Sequence, residues 1–354
     1  MPIALFEPLA LRGLTLRNRI GVSPMCQYSS DDGFACDWHL VHLGSRAVGG
    51  AGLVVMEATA VTAAGRISPG DNGIWKDEHV PALARIAGFV RAQGAAAGIQ
   101  LAHAGRKAST RAPWEGGGTI LPEEGGWQPV APSPVPFHPK DPPPAELTHA
   151  AIDAVVEAFA QAARRALEAG FQVVEIHAAH GYLIHEFLSP LSNRRTDEYG
   201  GAFENRVRFA LRVIGAVRAV LPGDLPLFLR VSATDWVEGG WTVDDSVALA
   251  RCAKASGVDL VDCSSGGLAL QQQIALGPGY QVPFAERIRR EARIATAAVG
   301  MITTPQQAED IVAAGQAYMV LLAREFLRDP YFPAHAAKAL GAGLMPPRQY
   351  LRAW

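Results

Sequence analysis

Short apolar runs alternate along this chain with stretches whose apolar positions recur at helical spacing. Runs at 19–23, 53–57, 98–101, 173–176, 227–231, 260–263, 296–299 and 318–322 predict eight strands. The clearest helical patterns lie at 80–93, 150–169, 243–255, 305–314 and 331–340. Thr304 before Pro305 reads as an N-cap followed by proline in the first turn, and Gly170 as the glycine just past a helix end. Strand–helix alternation repeated about eight times predicts an α/β fold. The expected form is a single (β/α)8 TIM barrel domain over 1–354. An open doubly wound sheet would favour a Gly-x-Gly-x-x-Gly turn after its first strand, where this chain has Ser23-Pro24-Met25-Cys26-Gln27. The segment 113–144 holds ten prolines and five glycines, which suits neither helix nor interior strand. It reads as a long loop after strand three, on the catalytic face and placed to act as a lid.

Composition narrows the class. With 354 residues, 49% hydrophobic and 19% charged, the chain has ample material for a core, which excludes global disorder. A net charge of −2 leaves no electrostatic footprint for nucleic acid or an anionic membrane. Cys26, Cys36, Cys252 and Cys263 lack the close spacing of zinc or iron–sulfur sites, and four cysteines in so long a chain do not make a disulfide framework. The apolar stretch at 47–65 is interrupted by Glu57 and reads as a buried strand rather than a membrane span. The start of the chain lacks the basic region of a signal peptide, so the expected setting is the cytoplasm.

In a TIM barrel, chemistry gathers just past the strand ends. The exits read Pro24, Met25, Cys26 and Tyr28; Ala58; Gln100 and His103; His177 to Tyr182; Arg230; Gly300; and Ala323-Arg324. His177 and His180, if on one helical turn, present two N–H donors to one oxygen. The same pair with Glu175 is a possible zinc site, and a purely structural role is the plain alternative. Tyr182 is placed to supply a proton. Arg230, in an apolar strand, faces either an anionic ligand or a carboxylate such as Glu175 or Glu57. The Gln100 amide suits a heterocycle edge. Gly300, Ala323 and Arg324 stand where barrels bind phosphate. Cys26 reads as a small hydrophobe or a nucleophile, and Lys107 as a Schiff-base candidate. Trp38, Trp75 and Trp236 read as core or lid packing.

The run Glu175-Ile176-His177-Ala178-Ala179-His180-Gly181-Tyr182, with Ser23-Pro24-Met25-Cys26, Gln100-Leu101-Ala102-His103-Ala104-Gly105-Arg106-Lys107 and Arg324-Glu325-Phe326-Leu327-Arg328-Asp329-Pro330, resembles the Old Yellow Enzyme family. Similar blocks run from 18 to 330, and the ending Arg352-Ala353-Trp354 also fits. Cys26 matches the bacterial thermophilic-like ene-reductases. The resemblance implies an FMN-dependent oxidoreductase that takes hydride from NADPH, or NADH, and reduces enones and related electron-poor alkenes by ping-pong kinetics. It implies that Ser23, Pro24, Met25, Cys26, Ala58, Gln100 and Arg230 contact the flavin ring. Gly300, Ala323 and Arg324 would hold its phosphate. It assigns the substrate carbonyl to His177 and His180 with Tyr28, proton donation to Tyr182, and flavin tuning and substrate contact to Cys26. Arg352, in the tail at 341–354, would reach a neighbouring subunit of a homodimer or homotetramer. Ala323 departs from the family's usual glycine, and 112–128 looks longer than in the shortest relatives. The competing readings are a metal-dependent hydrolase using His177 and His180, and a non-catalytic flavin redox sensor responding through Cys26.

Overall fold

The computed structural model describes residues 3–353; Met1, Pro2 and Trp354 lie outside the described residues. The chain opens with a hairpin, β1 (Leu9–Leu11) and β2 (Leu14–Leu16), in which Leu9 faces Leu16 across the pair. The barrel then begins with β3 (Ile20–Val22), β4 (Leu53–Ala60) and β5 (Ala96–Ala102). Two short strands, β6 (Val130–Ala131) and β7 (Ala145–Glu146), belong to the long loop that follows. The barrel resumes with β8 (Val173–Ala178), β9 (Leu227–Ser232), β10 (Leu260–Ser264), β11 (Ala295–Ala298) and β12 (Met319–Leu322), and β12 pairs back onto β3. All eight barrel strands run parallel, and each falls on a run expected from the sequence.

Around the barrel lie α1 (Asp37–Val48), α2 (Val80–Ala92), α3 (His149–Glu168), α4 (Leu183–Leu188), α5 (Phe203–Arg206), α6 (Arg208–Val220), α7 (Val243–Ala255), α8 (Val282–Ala292), α9 (Pro305–Ala313), α10 (Arg324–Arg328) and α11 (Phe332–Leu340). The Thr304 hydroxyl accepts from the Gln307 N–H and starts α9, as its position before Pro305 predicts. Gly170 follows α3 with φ +85, the left-handed conformation a C-terminal glycine supplies.

Two sets of residues alternate along each strand, because successive side chains point to opposite faces. One set, including Val54, Ile99, Ile176 and Leu229, packs against the helices. The other points into the barrel. At its lower end this inner set is apolar, with Leu53, Val55, Val173, Phe228 and Leu260 buried together. Leu9, Leu11 and Leu16 of the hairpin join that cluster and plug the floor. Two positions higher on β8, β9 and β10 the inner set becomes polar, with Glu175, Arg230 and Asp262, joined by Gln100 of β5, all 5% exposed or less. This change of character defines the mouth.

The segment 113–144 has no long element. It contains single helical turns at Pro113–Glu115 and Pro122–Glu124 besides β6, and β7 follows directly after it. Trp75 and Trp236 pack against His79 and Phe284, but Trp38 is 56% exposed, with its indole N–H donating to Gln27 Oε1. Its ring lies on the surface of α1 because α1 buries a different face, carrying His39, His42, Leu43 and Arg46.

Candidate active site

Three rings gather at the exit of β8. The His177 and His180 rings stand 5.2 Å apart and nearly perpendicular, and the Tyr182 ring lies 5.1 Å from His177. They do not share a helical turn. His177 ends the strand, and His180 sits beyond it with φ +59, in the left-handed region that imidazole residues tolerate only when the surroundings hold them. That kink turns the second imidazole back beside the first. It is held by its neighbours: Ser232 Oγ accepts from the His180 N–H at 2.9 Å, Ser264 Oγ lies 2.7 Å from His180 Nε2, and the Lys107 ammonium donates to the His180 carbonyl at 2.8 Å. Gly267 passes so close that a Cβ there would stand 2.6 Å from His180 Cα, so only glycine fits.

Burial, reinforced by Arg230, holds both imidazoles well below their ordinary pKa, so each is neutral and offers one N–H. His177 Nδ1 is buried without a partner, a group poised for one. Burial likewise raises the Tyr182 phenol, which keeps its proton at neutral pH. Lys107 Nζ also donates to the Gly267 carbonyl at 3.1 Å and lies 5.0 Å from the centre of the Tyr182 ring. Burial lowers its pKa to about 8, and both carbonyl contacts make it a brace between the loops after β8 and β10 rather than a free amine.

Beside these rings, on the adjacent strand and in register with His177, the Arg230 guanidinium donates to Ser23 Oγ at 2.9 Å and approaches Asp262 Oδ2 at 3.2 Å. Its carboxylate partner is therefore Asp262 on the adjacent strand, not Glu175 or Glu57. A register shift between Met56 and Ala58 explains Glu57: the bulge sends Ala58 to pair with Gln100, while Glu57 turns toward the Gln27 N–H at 2.9 Å and His39 at 3.7 Å. The Gln100 amide donates to Glu175 Oε1 at 2.8 Å, so one edge of it is already engaged. Pro24, Met25 and Cys26 follow Ser23 and are half-buried. Cys26 packs in a small apolar cluster with Ile67, Ala104, Tyr28, Trp127 and Tyr182. Burial pushes its thiol up, so it is no thiolate nucleophile at neutral pH.

The loop after β5 covers this side. The Trp127 indole donates to the Ala64 carbonyl at 2.9 Å, and Arg66 lies 4.8 Å over its ring. Trp114 meets Tyr28 edge-on at 5.7 Å. Ser232, Ser264, Trp114 and Trp127 were not singled out by the sequence. The two serines follow from strand register alone, because Ser264 pairs with Ser232 at the top of β10 and β9.

At the exits of β11 and β12 a cavity of about 290 Å³ is lined by Tyr280, Gln281, Gly300, Thr303, Ala323 and Arg324. Gly300 has φ +117, which glycine alone adopts readily. Ala323, where the family usually has glycine, has φ −108 and ψ −94, so it does not use the positive-φ region that glycine would supply. Arg324 is exposed and free to turn into the cavity. The donor set of this cavity fits a phosphate group.

The ligand atoms of His177, His180 and Glu175 do not gather within 4.8 Å of one another. Among the described residues, the group with ligand atoms within 4.8 Å of one another is His149, Asp197 and Glu198 at the surface, where Arg195 already grips Asp197. Arg352 is exposed in the tail, which packs beside Gly49, Gly50 and α11 and encloses a cavity of about 400 Å³ there.

Residues 4–342 match the model of the NADH:flavin oxidoreductase / NADH oxidase family, and the chain belongs to it. It is similar to an NADPH dehydrogenase of Geobacillus sp. (strain WCH70), 53% identical over all of this chain and 99% of that protein. An NADPH dehydrogenase of Listeria innocua is 51% identical over 99% of both chains. Among solved structures, morphinone reductase superposes with a TM-score of 0.81 at 28% identity, covering 99% of this chain and 93% of that one. The chain is thus a flavin oxidoreductase on an Old Yellow Enzyme-type TIM barrel, with FMN as its cofactor. No helix among the described residues is long and apolar enough to cross a membrane.

Proposed function

We propose that this enzyme reduces the activated C=C bond of α,β-unsaturated carbonyl compounds with NADPH, by ping-pong turnover at one site. The carrying observation is the cluster of two neutral imidazoles and a protonated phenol at the barrel mouth, with a buried arginine in register with His177 on the adjacent strand. Bound FMN would supply the two-electron chemistry that carries hydride from NADPH to the alkene β-carbon. Ser23, Pro24, Met25, Cys26, Ala58, Gln100 and Arg230 border the ring, with Gly300, Ala323 and Arg324 at the phosphate.

His177 and His180 each donate one N–H to the substrate carbonyl oxygen. Negative charge grows on that oxygen as the β-carbon is reduced, and fixed donors stabilise it more than they stabilise the ground state. Tyr28 closes the same side, and Cys26 touches substrate and ring. Tyr182 gives its proton to the α-carbon, a role its raised pKa permits because the proton is still present at neutral pH. NADPH and enone would share the site bordered by His177, His180 and Tyr182, which would make them alternate. Arg352 reaches the site of a neighbouring subunit in a homodimer or homotetramer.

Isotope placement tests this division of labour. NADPH carrying deuterium at its transferable position should label only the β-carbon of the product, and turnover in D2O only the α-carbon. Solvent deuterium at the β-carbon would overturn it.

A further inference from the structure

Around Arg230 the barrel interior holds more carboxylates than one cation balances: Asp262 is level with it on one neighbouring strand, and Glu175 lies lower on the other. Glu175 on β8 and Asp262 on β10 are both 0% exposed. Glu175 Oε1 accepts from the Gln100 amide of β5, and its Oε2 has no partner. Neither oxygen of Asp262 receives a hydrogen bond, although Arg230 Nε stands 3.2 Å from Oδ2. Arg230 on β9 lies between them in strand order and directs its terminal amine at Ser23. The other titratable group at this level is His177, two residues above Glu175, and it is neutral. The floor below is Leu, Val and Phe. Two ionised carboxylates around one guanidinium would leave an uncompensated charge in a dry interior, which is far costlier than keeping one proton.

We propose that Glu175 and Asp262 share a single proton at neutral pH, and that this proton, lying beside Arg230, couples the reduction potential of bound FMN to pH. The physical tendencies agree: burial and Asp262 push Glu175 up to about 8, against the pull of Arg230 and Gln100, and burial raises Asp262. The proton belongs to the pair rather than to either residue. With it, the Arg–Glu–Asp group is neutral overall. Without it, a net negative charge sits under the ring, where it opposes the negative charge that reduction brings. Electron uptake therefore raises the affinity of the pair for its proton. Above the pKa of the pair in the oxidised enzyme, two electrons draw one proton onto the flavin and a second from solvent onto the carboxylates.

This inference rests on FMN lying over Arg230, as proposed above. The test is an anaerobic spectroelectrochemical titration of the FMN-loaded protein from pH 7 to 9.5, for wild type and Glu175→Gln. The amide keeps the contact with Gln100 and removes the shareable proton. Wild type should show a potential that falls about twice as steeply with pH above the pKa of the pair as below it; Glu175→Gln should follow the shallower slope throughout. Equal slopes in both proteins would overturn the shared proton while leaving the flavin reading intact; a protein that takes up no FMN would instead overturn that reading. Should the variant fail to load flavin, the reduced-minus-oxidised infrared spectrum of wild type decides. A gain in protonated carboxyl absorption above neutral pH supports the pair, and no carboxyl change contradicts it.

Discussion

The two ends of the barrel interior are made by the same eight strands with the same alternation of faces, yet they do opposite work. At the lower end the inward positions are Leu53, Val55, Val173, Phe228 and Leu260, closed off by Leu9, Leu11 and Leu16. Buried apolar surface there stabilises the fold and makes no demand for partners. Two residues further along β8, β9 and β10 the inward positions are Glu175, Arg230 and Asp262, with Gln100 beside them on β5, and several carry unpartnered buried polar atoms. Unsatisfied groups of that kind cost stability, and their concentration at one end marks where a ligand completes the structure. The lower end holds the barrel closed, and the upper end is where we propose that the cofactor lies.

Substitutions at the two ends should therefore separate chemistry from stability. Tyr182→Phe should give the largest effect, slowing enone reduction by about 10²–10⁴-fold, the usual worth of a positioned proton donor, with flavin reduction by NADPH nearly unchanged in stopped-flow traces. Equal slowing of both half-reactions would remove Tyr182 as donor. Phe228→Ala, at the floor, should lower unfolding free energy by about 3–5 kcal/mol in urea titrations while the folded fraction keeps its flavin spectrum. Arg324→Ala should weaken FMN by about 1.5–3 kcal/mol, roughly ten- to a hundredfold in dissociation constant by fluorescence titration, with little change in thermal unfolding of the FMN-free protein. The smallest effect belongs to Thr304→Ala, which deletes a helix cap remote from the mouth and should cost about 1 kcal/mol of stability with no change in either half-reaction.

The same contrast explains what the amino-acid sequence could tell. The strands were legible because parallel strands covered on both faces read as short apolar runs. Helix α4 was not, because all six of its residues are buried and no amphipathic stripe exists. Helix α1 hid because His39, His42 and Arg46 sit on its buried face. The β1–β2 hairpin has the right alternation, Leu9, Leu11, Leu14 and Leu16 around Arg12-Gly13, but each strand is only three residues long. At the mouth, position past a strand end singled out His177, His180, Tyr182, Arg230 and Gly300. Their partners were not accessible in that way. Asp262 meets Arg230, and Ser264 meets His180, through the register of separate strands. The β4 bulge changed which of Glu57 and Ala58 faces Gln100, and His180 left the helical turn its spacing suggested. Local sequence carries position along an element; it does not carry the register between elements.

The most direct test of the polar mouth as a working flavin site is an anaerobic titration of the purified protein with NADPH, followed by 2-cyclohexenone. The protein should be yellow, bleach on adding NADPH, and regain its colour when the enone is added with oxygen still excluded. A protein that takes up no FMN, or one that stays bleached in the presence of the enone, would contradict it.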